Sequence, residues 1–316
     1  MSFNRRNFLK NSMMGAAAVA ATQVSLTSCC DSQSKCDDKK ECELTPLNIA
    51  FQESILGERP LSEKLDIMEE LGVTGLEVWG AGLGERVAEL KDALNGRNIK
   101  ISAICAGFQG FLFCTEKKVY DQFISTYKEI LAAAGELGSV GVIMVPAFNS
   151  QVPCLPHTLE TRAWFVDQLK ELGTYALEKN TSIILEPLNR KEAFYLRQVG
   201  DAASICRDTE CKGVTAMGDF WHMTFEENCD YGAFLSAADT LSHVHIASRG
   251  NRNFPGQDGD KDCYVAGFKA LQQLKYKGDV SFECGWGAAL DERKDLAAAA
   301  VTLMRDQWAK AACCTK

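Results

Sequence analysis

The fold of this chain is decided by SIILEP (182–187), VTAMGDFWH (214–222), SHVHIAS (242–248) and VSFECGW (280–286), four stretches in its second half. Each is a short apolar run typical of a strand buried on both faces of a parallel sheet. Each run ends near a polar residue, and these residues are Glu186, Asp219, His245 and Glu283. Their separations of 33, 26 and 38 residues each match about one strand–helix unit.

The same alternation of strand-like and helix-like segments extends over the chain from residue 47. Strands are expected at 47–51, 75–78, 100–104, 140–145, 182–186, 214–218, 243–247 and 279–283. Apolar residues every three or four positions predict helices between them, for example at 61–71, 163–179, 264–274 and 295–308. The alternative, an open doubly wound sheet, usually has a glycine-rich phosphate loop after its first strand, whereas this chain has QESILGERP. We therefore predict an α/β fold, a single (β/α)₈ TIM barrel over residues 46–316.

The composition is that of an ordinary globular protein, with 316 residues, of which 46% are hydrophobic and 24% charged. The formal net charge is −8. An acidic chain lacks the broad cationic surface that sequence-independent binding of phosphates requires. Nucleic acid is therefore not an expected partner.

The first 45 residues are predicted to be an export signal and a tether that precede the barrel. Arg5 and Arg6 form a twin-arginine pair before an Ala-rich apolar run at 13–21, which is shorter than the about 20 residues of a membrane span. LTSC (26–29) resembles a bacterial lipobox with Cys29 as the lipidated residue. We predict a twin-arginine-like lipoprotein signal peptide at 1–28 and a flexible tether at 29–45.

These signals predict a protein that is exported and anchored to the membrane by a lipid, on the periplasmic side. One departure is Asn4, because a Ser or Thr usually precedes the two arginines. The structural alternative is an N-terminal helix that carries two arginines by chance.

The chain contains 14 cysteines but no CxxC motif and no spaced Cys/His set. A zinc module is therefore not expected. Cysteines of the predicted barrel such as Cys105 and Cys206 are interpreted as small buried hydrophobic residues.

The polar residues that close the four strands would meet at the carboxyl-end mouth of a barrel. Any one of them could be a salt-bridge partner, but four in consecutive units indicate a shared metal site. An oxygen-rich donor set with one imidazole suits one divalent ion such as Mn²⁺, Co²⁺ or Mg²⁺, and Zn²⁺ is a further option.

The order and spacing of four short motifs resemble a known family. They are EPLNR (186–190), GDFWH (218–222), HVHI (243–246) and FE (282–283). The set is similar to the xylose-isomerase-like TIM barrels, and within them to the sugar phosphate isomerase/epimerase group that includes ketose 3-epimerases and hydroxypyruvate isomerase. The resemblance covers residues 47–308.

This resemblance implies a metal-dependent sugar isomerase or epimerase acting on a ketose or keto-sugar. The residues implied to bind one divalent metal are Glu186, Asp219, His245 and Glu283. Glu186 and Glu283 are also the implied catalytic pair, which exchanges a proton on opposite sides of a substrate carbon. A metal stabilises the enediolate that such proton transfer creates.

The resemblance implies three substrate contacts, at His222, Glu192 and Arg252. Structural alternatives are a partly buried histidine at a helix start and, for Glu192, a solvated loop charge. The loop SRGNRNFPGQDG (248–259) is one residue longer than the family's segment, so Arg249 is an alternative to Arg252.

Further residues near the predicted strand ends have two interpretations each. Alternation along the strand places His243 on the same face as His245 but deeper, which favours a supporting or core residue over a ligand. Glu77 could face the pocket or form an ordinary ion pair. Aromatic residues that could form a wall against a sugar, or simply pack, are Trp79, Trp221, Phe254 and Trp286.

Three other functions are compatible with parts of this pattern. A lyase or dehydratase acting on a keto-sugar, keto-glycoside or inosose would use the same site. A lipid-anchored sugar-binding protein would use the pocket without turnover. A phosphodiesterase of the apurinic-site endonuclease type would need several zinc ions and more histidines than the four present. Because the chain is predicted to be exported, we expect an unphosphorylated sugar substrate; the sequence leaves the oligomeric state open, with a homo-oligomer as one option.

Overall fold

A closed barrel of eight parallel strands forms the centre of the part of the chain that the structure describes. The computed structural model describes residues 45–152 and 154–313. Strands pair in chain order, and the eighth pairs with the first, as predicted for a TIM barrel. The strands are β1 Asn48–Gln52, β2 Gly75–Trp79, β3 Lys100–Cys105, β4 Val142–Met144, β5 Ile183–Leu185, β6 Val214–Asp219, β7 Leu241–Ile246 and β8 Asp279–Phe282.

Helices follow the strands and form the outer layer. They are α1 Leu61–Glu70, α2 Leu83–Leu94, α3 Lys117–Glu136, α4 Leu159–Glu178, α5 Val199–Thr209, α6 Phe220–Glu226, α7 Asp230–Ala237, α8 Val265–Gln273 and α9 Arg293–Cys313. Short 3₁₀ helices lie at Ala238–Thr240 and Gly259–Lys261. Two helices, α6 and α7, connect β6 to β7 where the repeating unit needs one. None of the helices in the described residues has the combination of length and hydrophobicity that a membrane span requires.

Two of the four strands that carry the site, β5 and β8, end one residue earlier than the sequence predicted. β5 ends at Leu185 and β8 at Phe282, so Glu186 and Glu283 each follow a strand directly. The hydrogen bonds between neighbouring strands nevertheless continue one residue beyond β5 and β8. The Glu186 amide donates to the Met144 carbonyl (3.1 Å), and the Glu283 amide donates to the Ile246 carbonyl (3.2 Å). Both side chains therefore keep the direction that strand alternation gives them.

The interior of the barrel is divided into an apolar and a polar side. Ala103, Ile143, Ile184 and Met217, one residue from each of β3 to β6, form a buried apolar cluster of their own. Glu77 on β2, with His243 and His245 on β7, forms a buried polar group. Polar groups inside a barrel must find partners because water does not reach them. The polar side thus requires the hydrogen bonds described below.

Close contact between the carboxyl ends of β2 and β3 leaves no room for a side chain at Gly80. A Cβ atom there would lie 2.0 Å from the carbonyl oxygen of Ala106. Gly84, at the start of α2, has nothing within 4 Å of the same position.

We expect Gly80→Ala to lower the free energy of unfolding by about 2 kcal/mol or more, because backbone must move to admit the methyl group. The matched control Gly84→Ala should raise the free energy of unfolding by up to about 1 kcal/mol, since alanine has a higher helix propensity than glycine. Chemical denaturation measures both. Equal stability of the two variants would contradict this account of the β2–β3 contact.

Candidate metal and active site

Four metal-type side chains from four consecutive strand ends converge at the mouth of the barrel. Glu186, Asp219, His245 and Glu283 each offer one ligand atom, and these atoms lie within 4.8 Å of one another. His245 Nδ1 is 3.1 Å from Glu283 Oε2 and 3.6 Å from Glu186 Oε1. The structure therefore brings together all four residues that the sequence nominated.

One carboxylate oxygen of Asp219 caps a helix, and the other faces Glu186, His245 and Glu283. As the N-cap of α6, its Oδ1 accepts a hydrogen bond from the Trp221 amide (2.8 Å). Its Oδ2 is buried and has no hydrogen-bond partner, and His245 Nδ1 is in the same condition. Buried polar atoms without partners are costly. A divalent cation would satisfy both atoms and offset the clustered carboxylates, so the residues fit such an ion.

Glu77 accepts hydrogen bonds from His245 on the side of the ring away from the other three metal-type residues. The sequence had left two interpretations of Glu77 open. His245 Nε2 is 3.0 Å from both Glu77 carboxylate oxygens, and His243 Nε2 is 2.7 Å from Oε2. An ionised carboxylate only accepts, so both imidazoles donate through Nε2. In neutral His245 this leaves the lone pair on Nδ1, the atom that faces the other three ligands. A carboxylate that orients a metal-binding histidine in this way is a common supporting element of metal sites.

Glu77 and His245 each shift the pKa of the other. Burial alone would raise the pKa of Glu77, but the charge of His245 and hydrogen bonds from both histidines outweigh it and hold the pKa well below its usual range. Burial alone would lower the pKa of His245, whereas the charges of Glu77 and Glu283 raise it well above its usual range. Because metals bind neutral imidazole, uptake of an ion would displace a proton from His245.

The two glutamates of the implied catalytic pair lie in different electrostatic environments. Burial raises the pKa of Glu186, and the nearby charge of Glu283 acts in the same direction. Burial also acts on Glu283, but the charges of Arg252 and His245 outweigh it and lower the pKa of that carboxyl. The two carboxyl groups therefore differ in proton affinity, which is the condition for an acid and a base in one site.

Arg252 faces the site and Arg249 does not. The Arg252 guanidinium pairs with Glu283, lies 3.6 Å from Asp219 Oδ2, and is centred 4.4 Å from the rings of both Trp221 and Trp286. Arg249 instead lies over α6, where it pairs with Asp230 and donates to Thr224 Oγ1 (3.0 Å) and the Cys263 carbonyl (2.9 Å).

His222 and Glu192 share a partner, Asn189. The Asn189 amide donates to His222 Nδ1 (3.1 Å), so the ring carries its proton on Nε2 when neutral. That Nε2 is buried without a hydrogen-bond partner and lies 3.4 Å from Asp219 Oδ2. The Asn189 side chain donates to Glu192 Oε1 (2.9 Å), which is 4.0 Å from Arg252 Nη1. His222 and Arg252 therefore lie beside the metal-type residues, and Glu192 is connected to them through Arg252.

A cavity of about 490 Å³ opens beside Glu283 on the β1–β2 side of the mouth. Its lining includes Trp79 and Trp286, whose exposed fractions are 54% and 59%, together with Lys64. Two of the aromatic residues therefore offer exposed faces to a ligand. Phe254 is fully buried and only packs. The predicted lipidation residue Cys29 lies outside the described residues.

The sequence of the barrel matches a known family. Residues 65–307 match the sequence profile of the xylose isomerase-like TIM barrel family. The chain belongs to this family.

The proteins to which this chain is similar include sugar epimerases. A 3-dehydro-D-guloside 4-epimerase of Escherichia coli (strain K12) is 30% identical over 241 residues, which cover 74% of this chain and 88% of the relative. An L-ribulose 3-epimerase of Methylomonas sp. (strain DH-1) is 26% identical over 203 residues, covering 60% and 69%. The crystal structure of a 3-keto-D-glucoside 4-epimerase from E. coli, without ligand, is similar with a TM-score of 0.73 and 26% identity, covering 83% of this chain and all of that one.

We expect Glu77→Gln to weaken binding of Mn²⁺ or Co²⁺ by roughly 10- to 100-fold, because the amide no longer anchors two Nε2–H donors. Titration calorimetry on the purified protein measures the change. Glu129→Gln, an exposed carboxyl on α3, is the matched control and should leave affinity unchanged. Unchanged affinity in a folded Glu77→Gln variant would show that Glu77 has no part in holding His245.

Proposed function

We propose that this protein is a divalent-metal-dependent sugar epimerase or isomerase that moves a proton next to a carbonyl, through an enediolate of a ketose or keto-sugar. The observation that carries the proposal is the convergence of Glu186, Asp219, His245 and Glu283 within 4.8 Å. The two relatives described above are both sugar epimerases, which supports the same reaction class.

One divalent ion would be held by the three carboxylates and His245 Nδ1. When bound, it supplies positive charge where negative charge develops on substrate oxygens during proton removal. The oxygen-rich donor set favours Mn²⁺, Co²⁺ or Mg²⁺, with Zn²⁺ as an option. Glu77 keeps His245 in the orientation and tautomer that this arrangement needs.

Glu186 and Glu283 are proposed as the proton-transfer pair. The pKa of Glu186 is raised and that of Glu283 is lowered, so the two carboxyl groups differ in proton affinity, as an acid and a base in one site must. One carboxyl group, when ionised, removes the substrate proton, and the other, when protonated, returns a proton to the opposite face, which inverts the carbon. Return of the proton to the neighbouring carbon gives isomerisation instead. The configuration of the substrate decides which glutamate acts first.

Three side chains are proposed to position the sugar. His222 can donate through Nε2, and Glu192 can accept from sugar hydroxyls. Arg252 can donate to substrate oxygens while Trp221 and Trp286 hold its guanidinium plane.

We infer an unphosphorylated keto-sugar as the substrate, with a keto-glycoside as the preferred class. One support is the similarity to E. coli proteins described as a 3-dehydro-D-guloside 4-epimerase and a 3-keto-D-glucoside 4-epimerase. A second is the cavity beside Glu283, because Trp79 and Trp286 present apolar faces on which a second ring can pack.

We expect Glu186→Gln and Glu283→Gln each to lower kcat by about 10²- to 10⁴-fold, because an amide cannot transfer the proton. The assay screens ketoses and 3-keto-glycosides with Mn²⁺ or Co²⁺ in deuterated water and follows deuterium into product by NMR. Metal content of each variant, measured by mass spectrometry, separates lost chemistry from lost metal. Glu129→Gln is the control with full activity.

Three results would contradict parts of this proposal. Full activity in both glutamine variants would exclude the proton-transfer pair. Elimination of water or of an aglycone would identify a lyase or dehydratase that uses the same site. Sugar binding without deuterium exchange across the panel would identify a binding protein.

We propose further that the chain is exported through residues 1–28 and anchored through a lipid on Cys29. Cys29→Ser should move the protein from the membrane fraction to the soluble periplasmic fraction, whereas Cys30→Ser should not. Changing Arg5 and Arg6 to Lys should retain the protein in the cytoplasm. Fractionation of cells that express the full chain measures all three, and membrane attachment that survives Cys29→Ser would refute the anchor.

A further inference from the structure

Two cysteines face each other between loops at the barrel mouth. Cys114 lies between β3 and α3 and Cys154 between β4 and α4, and the two residues form an isolated antiparallel β-bridge. The Leu155 amide donates to the Phe113 carbonyl (2.8 Å), which joins the residue after one cysteine to the residue before the other. This pattern makes Cys114 and Cys154 a non-hydrogen-bonded antiparallel pair.

Such pairs have the separation that a disulfide needs. Directly opposed residues at non-hydrogen-bonded positions have Cα atoms about 4.5 Å apart, with side chains on the same face. Disulfides span Cα separations of about 4.4–6.8 Å. Both residues are free thiols in the structure. Of the eight cysteines found as free thiols among the described residues, these are the two that a β-bridge pairs.

We propose that Cys114 and Cys154 form a reversible disulfide that fastens the two mouth loops together. The reaction is thiol–disulfide exchange with a disulfide oxidant, either a small molecule or a protein. One thiolate attacks the oxidant and releases a thiol, and the second thiolate then displaces the other thiol from the mixed disulfide. Two cysteine thiols thus lose two electrons and two protons, and the oxidant becomes two thiols.

Exposure suggests which sulfur reacts first. Cys114 is buried, whereas Cys154 is half-buried and so more accessible to an oxidant. Burial and, to a smaller extent, the neighbouring Cys114 raise the pKa of Cys154. Only the thiolate attacks, so exchange should be faster in mildly alkaline buffer than at neutral pH.

The bond would restrain a segment next to the proposed substrate contacts. The β4–α4 loop already joins the loop after β5, because the Asn149 amide donates to the Glu192 carbonyl (2.7 Å) and its side chain to the Arg190 carbonyl (3.0 Å). A disulfide between residues 114 and 154 would close a covalent loop that contains α3 and β4. Closing a loop of this length restricts the unfolded chain and stabilises the folded one.

The test compares reduced and oxidised full-length protein. After treatment with oxidised glutathione at about pH 8.5, peptide mapping should find Cys114 linked to Cys154. The thermal midpoint should rise by roughly 5–10 °C and return on reduction. Cys154→Ser and Cys114→Ser should each abolish the shift. Cys263→Ser, an exposed cysteine elsewhere, should keep it.

Mapping decides the outcome because the chain has 14 cysteines. If both Cys114 and Cys154 remain alkylatable after oxidation, the proposal is overturned. It is also overturned if the stability shift persists in Cys154→Ser, since another pair would then be responsible. Should Cys114→Ser not fold, Cys154→Ser alone decides, because its side chain is half exposed.

Discussion

The hydrogen bonds from His243 and His245 to Glu77 are the interaction on which the mouth of this barrel depends. All three side chains are buried, and they join β2 to β7 across the interior. An unpaired carboxylate at this depth would cost several kcal/mol. Paired, it turns His245 so that Nδ1 faces Glu186, Asp219 and Glu283. The orientation of one imidazole thus links the polar interior to the chemistry above it.

The negative charge around His245 explains why the metal-type residues are suited to bind a cation. Four carboxylates, Glu77, Glu186, Asp219 and Glu283, lie around His245, and Arg252 is the cation that pairs directly with Glu283. Even with His245 protonated, negative charge is in excess in a place that water barely reaches. Buried charges need partners, and a divalent ion is the partner whose charge and ligand preference match this set.

The sequence predicted the fold and the four metal-type residues because both depend on local signals. Apolar runs predict buried strands. A polar residue near the end of such a run, such as Asp219 or His245, is easy to recognise in the sequence. The role of Glu77 was not predictable, because its partners lie 166 and 168 residues away and pairing across a barrel leaves no local trace. Arg252 could not be separated from Arg249 either, since the choice depends on the path of an irregular loop. Phe254 looked equally suited to the pocket, yet the tertiary fold buries it.

The contacts of Arg252 explain the path of the loop at 248–259. The Arg252 backbone φ of 54° is in the left-handed region, which costs a residue other than glycine about 1–2 kcal/mol. The loop is closed around it, with the Arg252 amide donating to the Ser248 carbonyl (3.1 Å) and the Ser248 amide to the Asn253 carbonyl (2.8 Å). A cation over an aromatic face contributes from about 0.5 kcal/mol at exposed sites to about 2 kcal/mol when desolvated, and this guanidinium lies over two rings besides its ion pair with Glu283. These contacts offset the strain. A lysine could not make the same planar contact with two indole rings through its compact ammonium group. The planar side chain is therefore what holds the strained backbone over the metal-type cluster.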